Sequence, residues 1–263
     1  MITISKLITY PFKSAKGIEL PHTGFDAEGL TNDRRLMAVD EEGTFMTARN
    51  SPELLQISCE PTLTGWLLAH PKAQSTLTIS NHSTIELSGD VWSDPIHANN
   101  AGDEASEWIS NVLNTKSHIA IWKPQARTSR KYSLETTFAD AAPILITSEA
   151  SMKQACDWGG VDNDYRRFRP NIIVSGVEAF EEENWTRFTI GDATYEMLDT
   201  CSRCVLVTRD PDTGERHPKL EPMLSLIKKH SNAKKEPIMG INVKLISSPE
   251  SVTITVNDRI SLI

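Results

Sequence analysis

Short runs of β-branched and apolar residues, each cut off by Gly, Pro, Asn or Asp, dominate this chain. Runs of that length and punctuation fit strands rather than helices. ITISKLITYP opens the series, and RLMAVD, GTFMTAR, LLQISCEP, APILITS, NIIVSG, CVLVT, INVKLI and VTITV continue it. TLTIS and TIELS, with Asn81 and His82 between them, read as a hairpin. RFTIGDATYEML reads as another, turning at Gly191-Asp192. Helical spacing appears in three stretches. In GDEASEWISNVLN, Ala105, Trp108, Ile109, Val112 and Leu113 form one face, and Asp103 can cap its start. SEASMKQACDW follows a strand directly, with Thr147 or Ser148 as its cap. EPMLSLIKKH has Pro222 near its first turn and basic residues at its end. Helices do not alternate regularly with strands, which excludes a doubly wound sheet and leaves a mostly β, or α+β, fold.

The same pattern divides the chain. Residues 1–98 read as a small β-barrel or sandwich. A helix over 103–114 follows, and residues 123–142 read as a long connection or mobile loop. The second unit spans 115–263.

A formal net charge of -8 argues against a general binder of nucleic-acid polymers or of anionic membranes, while allowing a local basic pocket. No apolar run approaches the roughly 20 residues of a membrane helix. The first residues lack a signal-peptide core, so a cytoplasmic location is the expectation. Four cysteines are too few for a disulfide framework.

Only Cys201 and Cys204 form a motif, in CSRCVLVTRDPDTG. Such a pair is open to several readings: half of a zinc site, a thioredoxin-like dithiol, two ordinary thiols, or a ligand to another metal centre. Arg203 between them favours a thiolate by opposite charge, and a thiolate is a soft ligand. Elsewhere, residues of the kind that hold a phosphate gather in short segments. Lys13 and Ser14 lie at a strand end, Arg34 starts another strand, and Arg169 and Asn171 precede a third. Thr147 and Ser148 stand at a helix N-terminus, where free N–H groups favour an anion. His217, in GERHPK, reads as a turn residue.

YPFKSAKG, NDRRLMAVDEEGTFMTAR, FRPNIIVSG, CSRCVLVTRDPDTG and MGIN, in that order, resemble the MOSC family. The likeness is to the branch with an N-terminal β-barrel domain, which includes the mitochondrial amidoxime-reducing component and bacterial YcbX-type proteins. It implies an N-terminal β-barrel domain followed by a MOSC β-barrel domain with a few helices. It also implies a molybdenum–molybdopterin cofactor (Mo cofactor), with Cys204 as the metal ligand and catalytic thiolate. Lys13, Ser14, Arg34, Thr147, Ser148, Arg169, Asn171, Ser202, Arg203 and Asn242 fall at cofactor-binding positions on the same basis. Cys201 does not carry a ligand role over. The resemblance further implies a reductase of small N-hydroxylated compounds, namely amidoximes, hydroxylamines and N-hydroxylated bases. The chain carries no flavin or iron–sulfur motif, so electrons are expected from a separate ferredoxin-, flavin- or cytochrome-type protein with its reductase. A cofactor or sulfur carrier without turnover is the alternative.

Overall fold

The computed structural model describes residues 1–26, 28–249 and 252–263. Strands dominate, with three α-helices among the described residues: α1 (Asp103–Leu113), α2 (Glu149–Gly159) and α3 (Met223–Lys229). None of these helices is long and apolar enough to cross a membrane.

The N-terminal lobe is built from small antiparallel sheets. One orders the strands Leu36–Val39, His118–Ile121, Asp94–Asn100 and Glu86–Val91. Another orders Ser58–Thr62, Gly65–Ala69 and Leu77–Ser80. Helix α1 lays Trp108, Ile109 and Val112 onto a core with Phe12, Leu36, Leu54 and Trp66. Its N-cap is Gly102, and no side chain caps it; Asp103 is the first helical residue, where its charge still suits the positive end.

The second lobe centres on an eight-stranded sheet. Strand Ile144–Ser148 runs parallel to Ile172–Ser175, and α2 makes the crossover between them. The expected hairpin at Gly191-Asp192 forms, with Ile190 opposite Ala193. Strand Thr3–Thr9 joins this sheet, pairing with Ile172–Ser175, so the first residues of the chain lie in the second lobe. The reason is burial. Ile4 and Leu7 pack with Ile144, Ile146 and Val174 on one side. Ile8 and Tyr10 pack against Met152 of α2 and Leu226 of α3 on the other.

Several sequence expectations change. The segments 77–80 and 86–91 do not pair as a hairpin, because their apolar residues serve different cores: Leu77 and Ile79 one, Leu87 and Val91 another. GTFMTAR makes only isolated bridges at Thr44 and Phe45. CVLVT forms a 3-10 turn over Val205–Thr208, closed by the Thr208 hydroxyl on the Val205 carbonyl. Residues 123–142 are tied down rather than loose. Arg127, 2% exposed, bonds the Asp94 carboxylate and the carbonyls of Thr137, Ala139 and Asp140. That buried guanidinium sets where residues 139–142 meet the cleft described next.

Candidate functional site

After strand Thr3–Thr9 the chain crosses from the second lobe into the first. The Arg34 amide bonds the Tyr10 carbonyl, and the Lys13 amide bonds the Leu36 carbonyl. This crossing forms the floor of a cleft between the lobes. Lys13, Ser14 and Arg34 line it from one side. Arg169, Asn171, Ser202, Arg203, Cys204 and Asn242 line it from the other.

Thr147 and Ser148 do not line it. They are buried, and their polar groups are spent on local structure. Thr147 Oγ1 and the Ser148 amide donate to Glu182, and Ser148 Oγ caps α2 by accepting from the Ser151 amide. The helix end that looked open to an anion is therefore occupied by a carboxylate of the protein itself. His217 also lies away from the lining, where its Nδ1 accepts from the Glu221 amide in a turn.

The charge of the cleft opposes that of the chain. Lys13, Arg34, Arg49, Arg167, Arg169 and Arg203 line it, and among the described residues Asp140 is the one carboxylate that does. Arg34 and Arg169 sandwich the Tyr10 ring, with guanidinium carbons 4.4 and 4.2 Å from its centroid. Ser14, Arg34 and Arg169 all have positive φ, at 69°, 47° and 54°. Three non-glycine residues in the left-handed region within one cleft mark stored backbone strain, which clusters at functional sites. Gly240 serves a related end: at φ 76° a Cβ would stand 2.5 Å from the Ile146 carbonyl oxygen, so only glycine lets this strand approach closely just before Asn242.

Asn171 acts within the protein. Its amide donates to the Ile8 carbonyl and Asp33 Oδ1, and its Oδ1 accepts from Arg34 and the Leu145 amide. Asp33, 1% exposed, also takes the Tyr10 amide and pairs with Arg34. The pair thus fixes Arg34. Asn242 is oriented similarly. Its amide nitrogen donates to Asp199 at 2.8 Å and to the Tyr132 hydroxyl at 3.2 Å.

Lys13 is 5% exposed and bonds the Phe138 carbonyl at 2.8 Å and Asp140 Oδ1 at 2.6 Å. Burial pulls its ammonium down to about 8, against the opposing pull of Asp140. Burial likewise brings Arg169 down to about 10. Burial pushes the Cys201 thiol up, with Arg203 acting the other way.

The two thiols are held differently. Cys201 Sγ accepts from Arg203 Nη1 at 3.1 Å. Cys204 Sγ accepts from Arg49 Nε at 3.2 Å, across the cleft. Cys59 and Cys156 are buried in separate cores, and no group of three or more metal-ligating side chains occurs among the described residues. The zinc reading therefore gains no further ligands. Arg49, Asp140 and Arg167 were not singled out from sequence. Arg49 lay inside a quoted segment, but only folding brings it to the thiol.

The fit to an anionic cofactor rests on donors without acceptors. Buried Arg167 Nε, Arg169 Nη2 and Arg203 Nε have no hydrogen-bond partner. A buried donor left unpaired costs roughly 1–3 kcal/mol, and such donors suit a phosphate tail. A half-exposed thiol at the same cleft suits a soft metal centre.

Fold and cleft together define a two-lobed β protein with a cation-lined cleft that two thiols, Cys201 and Cys204, also line. The chain belongs to the MOSC family: a MOSC N-terminal beta barrel domain matches residues 1–116 and a MOSC domain matches residues 133–261. Mitochondrial amidoxime reducing component 2 of Rattus norvegicus is 33% identical over 242 residues, covering 85% of this chain and 72% of the relative. The protein of the same name from Macaca fascicularis is 31% identical, covering 81% and 68%. Mitochondrial amidoxime-reducing component 1 of Homo sapiens is 31% identical, covering 85% and 71%.

Proposed function

We propose that this chain is a molybdenum-cofactor-dependent reductase of N-hydroxylated compounds, supplied with electrons by a separate redox protein. The observation that carries this reading is the meeting of Cys204 with Lys13, Arg34 and Arg169 in one cleft. The names of its relatives point to amidoximes as a substrate class. When bound, the cofactor supplies the two electrons that, with two protons, convert N–OH to N–H and water.

The protein's own residues do the holding. Cys204 provides the thiolate ligand, and Arg49 fixes its sulfur by hydrogen bonding. Lys13, Arg34 and Arg169 neutralise the phosphate tail, and the spare N–H groups of Arg167 and Arg203 orient it. Ser14 and Ser202 line the cleft with hydroxyls, although Ser202 Oγ already donates to Glu236. A cytoplasmic setting, with electrons from a ferredoxin-, flavin- or cytochrome-type donor, completes the reading.

The test uses protein made in a host competent for molybdopterin synthesis. Molybdenum content is measured first, then reduction of benzamidoxime with reduced viologen as donor. Turnover lost in Cys204→Ala and kept in Cys201→Ala supports the reductase. Bound cofactor with no turnover by the unaltered protein would replace it with a carrier role. Zinc in place of molybdenum would remove both.

A further inference from the structure

We propose that Trp92 and Asp140 form a recognition platform at the mouth of the cleft for flat substrates bearing an amidine-like N–C=N unit. The proposal deepens the reductase reading and rests on it for the word substrate; the platform itself rests on geometry.

Trp92 and Ser93 join strands Glu86–Val91 and Asp94–Asn100, with φ 54° and 68°. A two-residue turn with both residues left-handed selects Asn, Asp or Gly. A bulky aromatic there works against the backbone, so its side chain must be of use where it points. The indole lies beside the site. Arg49 stacks on it with the guanidinium carbon 4.2 Å from the ring, and Arg49 is the residue that bonds Cys204. Phe45 meets the indole edge-on at 4.6 Å. Its Nε1 donates to Asp140 Oδ1 at 3.2 Å. Even so, Trp92 is 43% exposed.

Asp140 is similarly placed. Its side chain is 63% exposed, although Oδ1 also takes the Lys13 ammonium and Oδ2 lies 3.7 Å from Arg49. An exposed aromatic and an exposed carboxylate, hydrogen-bonded to each other, make a matched pair. The carboxylate accepts an N–H and an O–H from one planar amidoxime unit. The aromatic surface takes a flat π system by stacking. An amidine-type group offers both features at once, whereas hydroxylamine offers no flat face. Arg49 bridges the indole and the Cys204 sulfur, and Asp140 lines the same cleft as that sulfur, which puts the platform beside the thiol.

Two measurements on the full-length protein test this. Benzamidine binding to cofactor-free protein is followed by calorimetry. Trp92→Ala is expected to weaken it about 10-fold, and Trp92→Phe to stay within about 3-fold of the unaltered protein. In loaded enzyme driven by reduced viologen, Trp92→Ala should lower kcat/KM for benzamidoxime about 10-fold more than kcat/KM for hydroxylamine, because any change passed on through Arg49 is common to both substrates. Unchanged benzamidine affinity in Trp92→Ala overturns the proposal. So does an equal loss on both substrates, because a purely structural clasp would affect them alike. Benzamidine binding that depends on Trp92, in a protein that reduces neither compound, supports the platform and sinks the reductase.

Discussion

Arg49 and Cys204 are separated by 155 residues, and the Nε of one lies 3.2 Å from the sulfur of the other. Arg49 comes from the N-terminal lobe and Cys204 from the turn leading into Val205–Thr208. Its other groups are also committed: Nη2 faces Asp140, and the guanidinium carbon stacks on Trp92. A lysine cannot reproduce this planar, three-way arrangement.

Arg49→Ala and Arg49→Lys should therefore both lower benzamidoxime turnover by about 10- to 100-fold, which corresponds to the ~1.5–3 kcal/mol of a charged hydrogen bond. Arg49 is partly exposed, so the urea midpoint should move little. Full activity in Arg49→Lys would show that a point charge suffices.

Asp33 governs the placement of Arg34. It is buried, and it holds the Tyr10 amide, the Asn171 amide and the Arg34 guanidinium together. Asp33→Ala leaves the Tyr10 amide without its acceptor, takes one of two acceptors from the Asn171 amide, and leaves Arg34 with a charge that has lost its carboxylate. The expected cost is about 3 kcal/mol in urea unfolding, in the range for breaking a largely buried pair. A cost below about 1 kcal/mol would mean the network is dispensable.

How much of this was legible beforehand depended on the range of the interaction. The strand running into α2, with Thr147 or Ser148 as its cap, is local and was readable from APILITS and SEASMKQACDW; the cap is Ser148. So was the hairpin at Gly191-Asp192, which two turn residues specify. The partner of strand Leu77–Ser80 was not, because alternation tells which residues face inward but not which core they face. VLVT has the letters of a strand, yet its Thr208 hydroxyl closes a tight turn. At the site, Lys13, Arg34, Arg169 and Cys204 were suggested by chemical type and resemblance. Arg49 and Asp140 were not, because their role lies in contacts to distant residues. Thr147 and Ser148 misled because the carboxylate filling their helix end comes from Glu182, 34 residues further along.

That last difference is itself testable. Ser148→Ala removes the cap of α2 and should cost about 1 kcal/mol of stability. Cofactor content after purification should be unchanged, because Ser148 does not line the cleft. A variant of normal stability that loses cofactor would return Ser148 to the binding site.

Lys13 gives the cleft a pH dependence of known sign. Burial brings its ammonium down to about 8, against 10.5 for an ordinary lysine. Asp140 pulls that value up, while burial, Arg127 and Arg34 pull it down. Between those two values the folded chain holds fewer protons than the unfolded one, so this residue makes stability rise with pH there. Anion affinity should move the opposite way, because the neutral amine no longer attracts the ligand. Sulfate is the suitable probe, since its charge is constant over the range. Its affinity for cofactor-free protein should fall about 5-fold from pH 7 to pH 9, which is about 1 kcal/mol and the worth of one charge pair about 4 Å apart at the dielectric constant of water. In Lys13→Met the affinity should be lower at pH 7 and nearly flat across the range. An equally steep fall in that variant would move the titrating group elsewhere and detach Lys13 from the anion site.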